Sequence, residues 1–224
     1  MLDSSFASFL TSFLAALLAA SRPLVTAAFS AWGSPVTWLE ILAFVLSIAM
    51  VLANLRVKVV GWPLAIASSL LYALLFVDSK LYGEAALQLF FVVIALWGWW
   101  QWLRSRGGDG AALAVHLLTA RQRWAALAAT LLAWPVLALA LRQWTDSDVP
   151  WLDALPTVAS ITGTFMLGRK AIENWAVWLA VNVFSVGLFA FKGLWLTVLL
   201  YAVFAVLSVV GWRAWQRMLG ARHA

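Results

Sequence analysis

The chain has 224 residues, of which 65% are hydrophobic and 11% are charged, and its mean hydropathy is +0.94. Soluble domains have about 45–50% apolar and about 25% charged residues, so the composition excludes a soluble domain and indicates an integral membrane protein. The net charge of +6 does not predict a nucleic-acid partner, because basic residues of membrane proteins collect in cytoplasmic loops. With no cysteine and only two histidines, both outside the apolar runs, neither a metal site nor another cofactor is expected.

The first apolar stretch, residues 13–20, is too short to cross a bilayer, which takes about 20 residues. It also lacks the positively charged start of a signal peptide. We therefore predict an interfacial helix in this N-terminal region. The alternative is an eighth span, which would place the N-terminus inside.

Seven longer apolar stretches follow, each bounded by charged residues, glycine or proline. They cover residues 38–55, 60–77, 82–103, 122–141, 152–167, 172–191 and 194–215. Arg56 and Lys58 lie on the side that carries most of the lysine and arginine, and by the positive-inside rule that side is cytoplasmic. The seven-helix core is therefore predicted to begin outside and to end with a cytoplasmic C-terminus.

Residues 38–104 match residues 151–217 at a constant offset of 113 positions, without a gap. Trp38 falls on Trp151, and Gly98 falls on Gly211. A repeat of two apolar units predicts a transporter with a site between two bundles. Because each copy has three spans, two parallel copies need one further span between them, and residues 122–141 supply it.

The predicted fold is therefore an all-α integral membrane protein with seven transmembrane helices in a 3+1+3 parallel-repeat arrangement, plus the N-terminal interfacial helix. The predicted units are residues 1–35 for the interfacial helix and lead-in, 36–104 for the first three-helix repeat, 105–148 for a cytoplasmic linker and connecting helix, 149–217 for the second repeat, and 218–224 for a cytoplasmic tail.

Differences between the copies indicate where a ligand binds. Trp175, Trp178 and Asn182 have the spacing i, i+3 and i+7, which puts them on one helix face. The first copy has Ala65 and Ser69 where the second has Trp178 and Asn182. A mid-span amide either joins helices or contacts a substrate, and two tryptophans on its face favour a site for a flat heteroaromatic ligand.

Gln88 in the third span and Trp62 in the second complete the candidate binding residues. Gln88 has Tyr201 as its counterpart, and an interhelical hydrogen bond would explain it equally well. Tryptophan faces attract cations, so a cationic heteroaromatic is favoured over a sugar. No ionisable residue lies near the centre of a span, so we expect neither ion coupling nor a catalytic residue, and the protein is not predicted to be an enzyme.

Several motifs together resemble the PnuC family of bacterial nicotinamide riboside transporters over about residues 38–217. These motifs are Gly61-Trp62-Pro63, Lys80-Leu81-Tyr82-Gly83-Glu84 with Gln88, Gly98-Trp99 with Trp102, and Glu173-Asn174-Trp175 with Trp178 and Asn182. By this resemblance Trp175, Trp178 and Asn182 match the family's substrate-binding motif, and Gln88 matches its third-helix glutamine.

The resemblance implies a SWEET-like facilitator in the bacterial inner membrane that carries nicotinamide riboside inward to supply NAD synthesis. Transport of thiamine or another vitamin is the alternative within the family, and a receptor that binds without transport is an alternative of another class. The expected partners are the small-molecule substrate, the lipid bilayer and a second copy of the chain in a homo-oligomer.

Overall fold

The structure, a computed structural model, describes residues 22–31, 33–78, 82–104, 113–145, 149–191 and 195–223, together with Ser12. These residues form a two-stranded hairpin and seven long helices. The strands are β1 (Ala27–Ala31) and β2 (Ser34–Thr37), and the helices are α1 (Trp38–Leu55), α2 (Gly61–Asp78), α3 (Tyr82–Arg104), α4 (Ala120–Trp144), α5 (Pro150–Gly168), α6 (Asn174–Phe191) and α7 (Trp195–His223).

The hairpin is a departure from a purely helical chain that the sequence did not predict. β1 and β2 pair antiparallel, with Ala31 opposite Ser34, and Gly33 makes the turn at a φ of +83°. Glycine adopts this left-handed conformation without the steric cost that a Cβ atom imposes. The interfacial helix predicted for residues 13–20 lies outside the described residues. Of the residues that follow, 22–25 are helical, whereas Ala27–Ala31 and Ser34–Thr37 are extended.

Helix starts follow local capping chemistry. The Thr37 hydroxyl accepts a hydrogen bond from the Glu40 backbone N–H at 3.1 Å, which begins α1. At the start of α4, Thr119 and Gln122 form a reciprocal capping box. α7 continues to His223, so residues 218–223 of the predicted cytoplasmic tail are helical, because Met218, Leu219 and other good helix formers continue the helix.

Three of the described helical segments are long and apolar enough to cross a membrane: Trp38–Leu55, Ala120–Trp144 and Val198–Ala221. Gly61–Val77 and Asn174–Leu188 are shorter apolar helices. On α4, the side chains of Leu132 and Val136 are 72% and 68% exposed. Exposed aliphatic side chains on an apolar helix are typical of a surface that faces lipid.

Helix packing follows the repeat. α1 packs on α2 and α2 on α3, while α5 packs on α6 and α6 on α7. Because α1, α2 and α3 correspond to α5, α6 and α7, the two contacts between the repeats are also equivalent: α3 packs against α5, and α7 packs against α1. α4 packs against α5, where the Thr130 and Thr162 hydroxyls are 2.7 Å apart.

The turn that ends α1 and the turn that ends α5 have the same structure. Val57 and Lys170, which are equivalent in the repeat, have φ values of 53° and 57°. The Lys58 N–H donates to the Ala53 carbonyl at 2.9 Å, and the equivalent bond from Ala171 to Met166 has the same length. The duplication therefore extends to the backbone conformation of single residues.

These turns lie at what we call the basic end, the end of the bundle with Arg56, Lys58, Arg104, Arg169 and Lys170. A hydrophobic core between the repeats is located here. It contains Leu55, Trp62, Ala95, Trp102, Val115, Leu167, Ile172, Trp175 and Trp215.

Candidate functional site

Trp175 packs within the core at the basic end. It is 3% exposed, and its ring lies so close to Gly211 that a Cβ atom there would overlap it. The ring is perpendicular to that of Trp215, with 5.6 Å between centroids. An edge-to-face pair of this kind is a favourable aromatic geometry, so Trp175 has a clear packing role.

Trp62 repeats this packing in the first half of the chain. Its ring covers Gly98 and is perpendicular to Trp102, with 5.5 Å between centroids. The indole Nε1 atoms of Trp62 and Trp175 are both buried without a hydrogen-bond partner among the described residues. A buried donor without a partner costs about 1–3 kcal/mol, so each Nε1–H favours a polar group beside it.

Two other tryptophans join the repeats through equivalent hydrogen bonds. Trp102 Nε1 donates to the Leu167 carbonyl oxygen at 3.1 Å, and Trp215 Nε1 donates to the Asn54 carbonyl oxygen at the same distance. Asn54 and Leu167 are equivalent in the repeat, so each half binds the end of the other half's first helix. Tryptophans near the ends of transmembrane helices often face the membrane interface, but Trp102 and Trp215 are buried between the repeats.

Trp178 lies further along α6 and is only half-buried. Its indole ring packs over Gly163 of α5, where a Cβ atom would lie 3.3 Å from the ring. The equivalent positions in the first repeat are Ala65 and Met50. In the second repeat, the large side chain at this contact is Trp178 on α6, and α5 has only Gly163. The flat indole ring therefore lies between these two helices.

Asn182 is buried, with 4% of its surface exposed, and it joins α6 to α7. Its Nδ2 donates to the Ser208 hydroxyl at 3.1 Å, and that hydroxyl donates to the Phe204 carbonyl at 2.8 Å. An asparagine amide has two donor hydrogens and a carbonyl oxygen with two lone pairs, so this bond occupies only part of its capacity. Ser208 was not predicted, although its counterpart Ala95 shows that the hydroxyl is specific to the second repeat.

Gln88 is half-buried on α3, and its counterpart Tyr201 lies on α7 beside Phe204. Between described residues, the structure forms no hydrogen bond from Gln88 to Trp178 or Asn182. Trp175, Trp178 and Asn182 thus share one helix, α6, whereas Gln88 lies on α3 of the opposite repeat.

Two grooves open on the surface beside α6. One, of about 450 Å³, lies between α6 and α7. It is lined by Trp175, Ala176, Leu179, Ser208, Val209, Trp212, Arg213 and Gln216. The other, of about 340 Å³, is lined by Leu152, Val183, Phe184, Gly187, Leu188 and Phe191. Neither groove is lined by Trp178, Asn182 or Gln88.

Glu173 and Asn174, which precede the predicted face, fix the start of α6. Both carboxylate oxygens of Glu173 accept from the Leu118 backbone N–H, at 3.1 and 3.2 Å, and Oε1 also pairs with Arg123 Nε at 2.8 Å. Asn174 Nδ2 donates to the Ala171 carbonyl at 2.7 Å. These contacts hold the linker and α4 against the beginning of the helix that carries Trp178 and Asn182.

Comparison with known proteins identifies the fold. A solved structure described as the vitamin B3 transporter PnuC matches 97% of this chain and 92% of that chain, with a TM-score of 0.69 and 26% identity. The nicotinamide riboside transporter PnuC of Escherichia coli (strain K12) is 25% identical over 210 residues, which is 83% of this chain and 87% of the relative. The riboflavin/roseoflavin transporter RibM of Streptomyces davaonensis is 28% identical over 192 residues, or 84% and 89% of the two chains.

The family profile described as nicotinamide mononucleotide transporter matches residues 37–217. This range agrees with the resemblance that the motifs indicated and confirms it. The matched relatives are transporters and not enzymes. Because the profile covers most of the chain, the protein belongs to the nicotinamide mononucleotide transporter family.

Proposed function

We propose that the protein carries nicotinamide riboside across the bacterial inner membrane by facilitated diffusion, supplying NAD synthesis. The site lies between two three-helix repeats, in a seven-span 3+1+3 arrangement. Family membership and the name of the Escherichia coli relative support this cargo. The observation that carries the proposal is the asymmetry of α6, where Trp178 and Asn182 stand in place of Ala65 and Ser69.

The proposed site uses complementary chemistry for a flat cation with a carboxamide and a ribose. The half-buried ring of Trp178 stacks on the pyridinium, a cation–π contact worth about 0.5–2 kcal/mol. Asn182 and Gln88 hydrogen-bond the carboxamide or the ribose hydroxyls. Trp175 and Trp62 border the site and contribute their unpartnered Nε1–H groups.

The proposed orientation places the basic end in the cytoplasm. The positive-inside rule supports this assignment, because Arg56, Lys58, Arg104 and Arg169 lie at this end. The C-terminus is then cytoplasmic and α1 begins outside. A homo-oligomer stays a prediction, which light scattering of the purified protein would test.

A second candidate cargo is another vitamin, because the Streptomyces davaonensis relative is named a riboflavin/roseoflavin transporter. Thiamine also belongs in the comparison, since it is a flat cation to which Trp178 offers the same stacking.

Calorimetric titration of the purified protein with nicotinamide riboside, thiamine and riboflavin tests the cargo. We expect heat from the riboside that the Trp178→Ala variant loses, while Trp100→Ala, which changes a half-exposed tryptophan outside the site, keeps it. Heat from riboflavin or thiamine alone would contradict the proposed cargo. Uptake by proteoliposomes separates transport from binding, and binding without uptake would indicate the receptor alternative.

A further inference from the structure

We propose that the basic end opens at the seam between α1 and α7, while the contact between α3 and α5 serves as the hinge. The first repeat would turn about this hinge as a body. Only the identity of the molecule that passes through the opening rests on the proposed function. Its evidence is the unequal chemistry of two contacts that the repeat makes equivalent in position.

The α3–α5 contact is a stack of rings and charge. The rings of Trp97 and Phe165 are parallel within 7°, with 5.0 Å between centroids. The Arg169 guanidinium lies over the Phe165 ring, 5.3 Å from its centroid. Trp97 also packs directly on Gly168, where a Cβ atom would overlap its ring. The two rings and the glycine thus join α3 to α5, and Arg169, four residues after Phe165 in the same repeat, extends the stack on the α5 side.

The linker reinforces the same side. Lys170 Nζ lies 4.8 Å from the centroid of the Trp102 ring and donates to the Leu113 carbonyl at 2.9 Å. The backbone of His116 forms a parallel bridge with the turn after α5. Its N–H donates to the Lys170 carbonyl at 3.2 Å, and its carbonyl accepts from the Ile172 N–H at 3.0 Å. The linker therefore binds to the second repeat next to the α3–α5 contact.

The α1–α7 seam lacks the ring stack, the packed glycine and the lysine at the equivalent positions, although it has Arg56 and Trp215 in place of Arg169 and Trp102. Trp97, Phe165 and Gly168 correspond to Val210, Leu52 and Leu55. Lys170 and Glu173, which hold the linker, correspond to Val57 and Val60. Leu52 and Val210 are 43% and 46% exposed. The cross-repeat hydrogen bond from Trp215 to the Asn54 carbonyl is retained at this seam.

The surroundings of a membrane protein make this difference decisive. When aliphatic surfaces separate in a bilayer, lipid tails of equal polarity replace the lost contact, so opening the α1–α7 seam sacrifices little beyond one hydrogen bond. Separating α3 from α5 would break the Trp97–Phe165 stack, the contact of Lys170 with the Trp102 ring and the Trp102–Leu167 hydrogen bond, which lipid does not replace. Rotation about the α3–α5 contact is therefore the less costly way to open this end.

The chain has no cysteine, so pairs of introduced cysteines report on the two contacts separately. Four exposed arginines give repeat-equivalent pairs: Arg56→Cys with Arg217→Cys across the seam, and Arg169→Cys with Arg104→Cys across the hinge. Cross-linking with a short reducible reagent is followed by riboside uptake into proteoliposomes. We expect the seam cross-link to lower uptake at least about tenfold, with recovery on reduction, whereas the hinge cross-link keeps most of it. Equal loss from both cross-links, or full uptake with the seam closed, would overturn the hinge.

Spin labels at the same pairs test the hinge without any cargo. In lipid nanodiscs we expect the seam pair to give a broad distance distribution or two populations separated by about 5 Å, and the hinge pair to give one narrow peak. Phe165→Leu, which copies Leu52 into the hinge, should broaden the hinge peak. Equally narrow peaks, or a broader hinge peak in the unchanged background, would refute the proposal. Uncross-linked proteins that take up no riboside would instead count against the proposed cargo.

Discussion

At the residue scale, glycines set how closely the buried tryptophans approach their partner helices. Gly98 lies under Trp62 and Gly211 under Trp175, and a Cβ atom at either glycine would overlap a buried ring. Overpacking of this kind costs about 1–3 kcal/mol. Gly98→Ala and Gly211→Ala should therefore each lower the apparent melting temperature in detergent, by about 2–4 °C for each kcal/mol.

Gly187 is the matched control, because a Cβ atom there would meet nothing within 4 Å. Gly187→Ala should leave the melting temperature the same or raise it slightly, since alanine favours helix over glycine by about 1 kcal/mol. If the three alanine variants had the same melting temperature, the close packing of the tryptophans would not limit stability.

The Asn182–Ser208 pair separates binding from helix packing. Asn182→Ala should weaken riboside binding by about 1–3 kcal/mol, because it removes a polar group proposed to contact the cargo. Ser208→Ala removes only the partner in α7, so it should lower stability and leave the dissociation constant within a few-fold of the unchanged protein. For both variants, calorimetry measures the dissociation constant of the riboside, and thermal melting measures stability. Identical effects of the two changes on affinity would mean that Asn182 serves only to join α6 and α7.

Part of this site was predictable from the sequence. Trp178 and Asn182 share a face because helical spacing alone places them there. Ser208 was not predictable, because a single hydroxyl in an apolar helix gives no signal until its partner 26 positions away is known. Trp62 and Trp175 match the proposed site in sequence, but only coordinates show that glycines and neighbouring rings enclose them.

At the element scale, Glu173 attaches the linker and α4 to the start of α6. Arg123 is about half exposed, so its ion pair with Glu173 contributes little, about 0.2–1 kcal/mol, and solvent screens it. Glu173→Ala should cost more than Arg123→Ala, because it also leaves the half-buried Leu118 N–H without its acceptor. Glu173→Gln keeps an acceptor for Leu118 and should lie between them.

Thermal melting of the two single alanine variants and of the double variant gives the coupling energy. Equal losses from Glu173→Ala and Arg123→Ala would show that the ion pair, and not the backbone contact, holds the linker. The sequence indicated the helices on both sides from their apolar runs, but this contact joins residues 50 or more positions apart and needed the fold. The β1–β2 hairpin was missed for a different reason, because strands of five and four residues have too few positions for a clear alternation.

At the scale of the whole molecule, the constant offset in the sequence predicted the duplication, and the structure extends it to matching turns and reciprocal hydrogen bonds. The Trp102–Leu167 and Trp215–Asn54 bonds have equal lengths because they are one contact made in both directions. What the sequence did not indicate is that the chemistry around these bonds is unequal. Whether two equivalent contacts have the same chemistry depends on which residues meet across the interface. Aligning one half of the sequence with the other does not show which residues meet.

The distribution of charge over the molecule predicts how transport is driven. In the described part of the chain, acidic and basic side chains lie in loops, near helix ends or in α7 from Arg213 onward, and none lies in the middle of a span. A proton- or sodium-coupled carrier usually has such a residue. We therefore expect uniport, in which a cationic riboside follows the membrane potential. A potential of 100 mV supplies about 2.3 kcal/mol per charge, which corresponds to accumulation of roughly fifty-fold.

Proteoliposomes with a potassium gradient and valinomycin set the potential without a proton gradient. Riboside should accumulate when the inside is negative and leave when the potential is reversed, and the Trp178→Ala variant should show neither. A pH gradient imposed at fixed potential should leave the accumulation ratio unchanged, because the part of the chain that the structure describes has no buried carboxylate or histidine to carry a proton with the cargo. Accumulation that followed the pH gradient and ignored the potential would show that a coupling residue exists and that the uniport assignment is wrong.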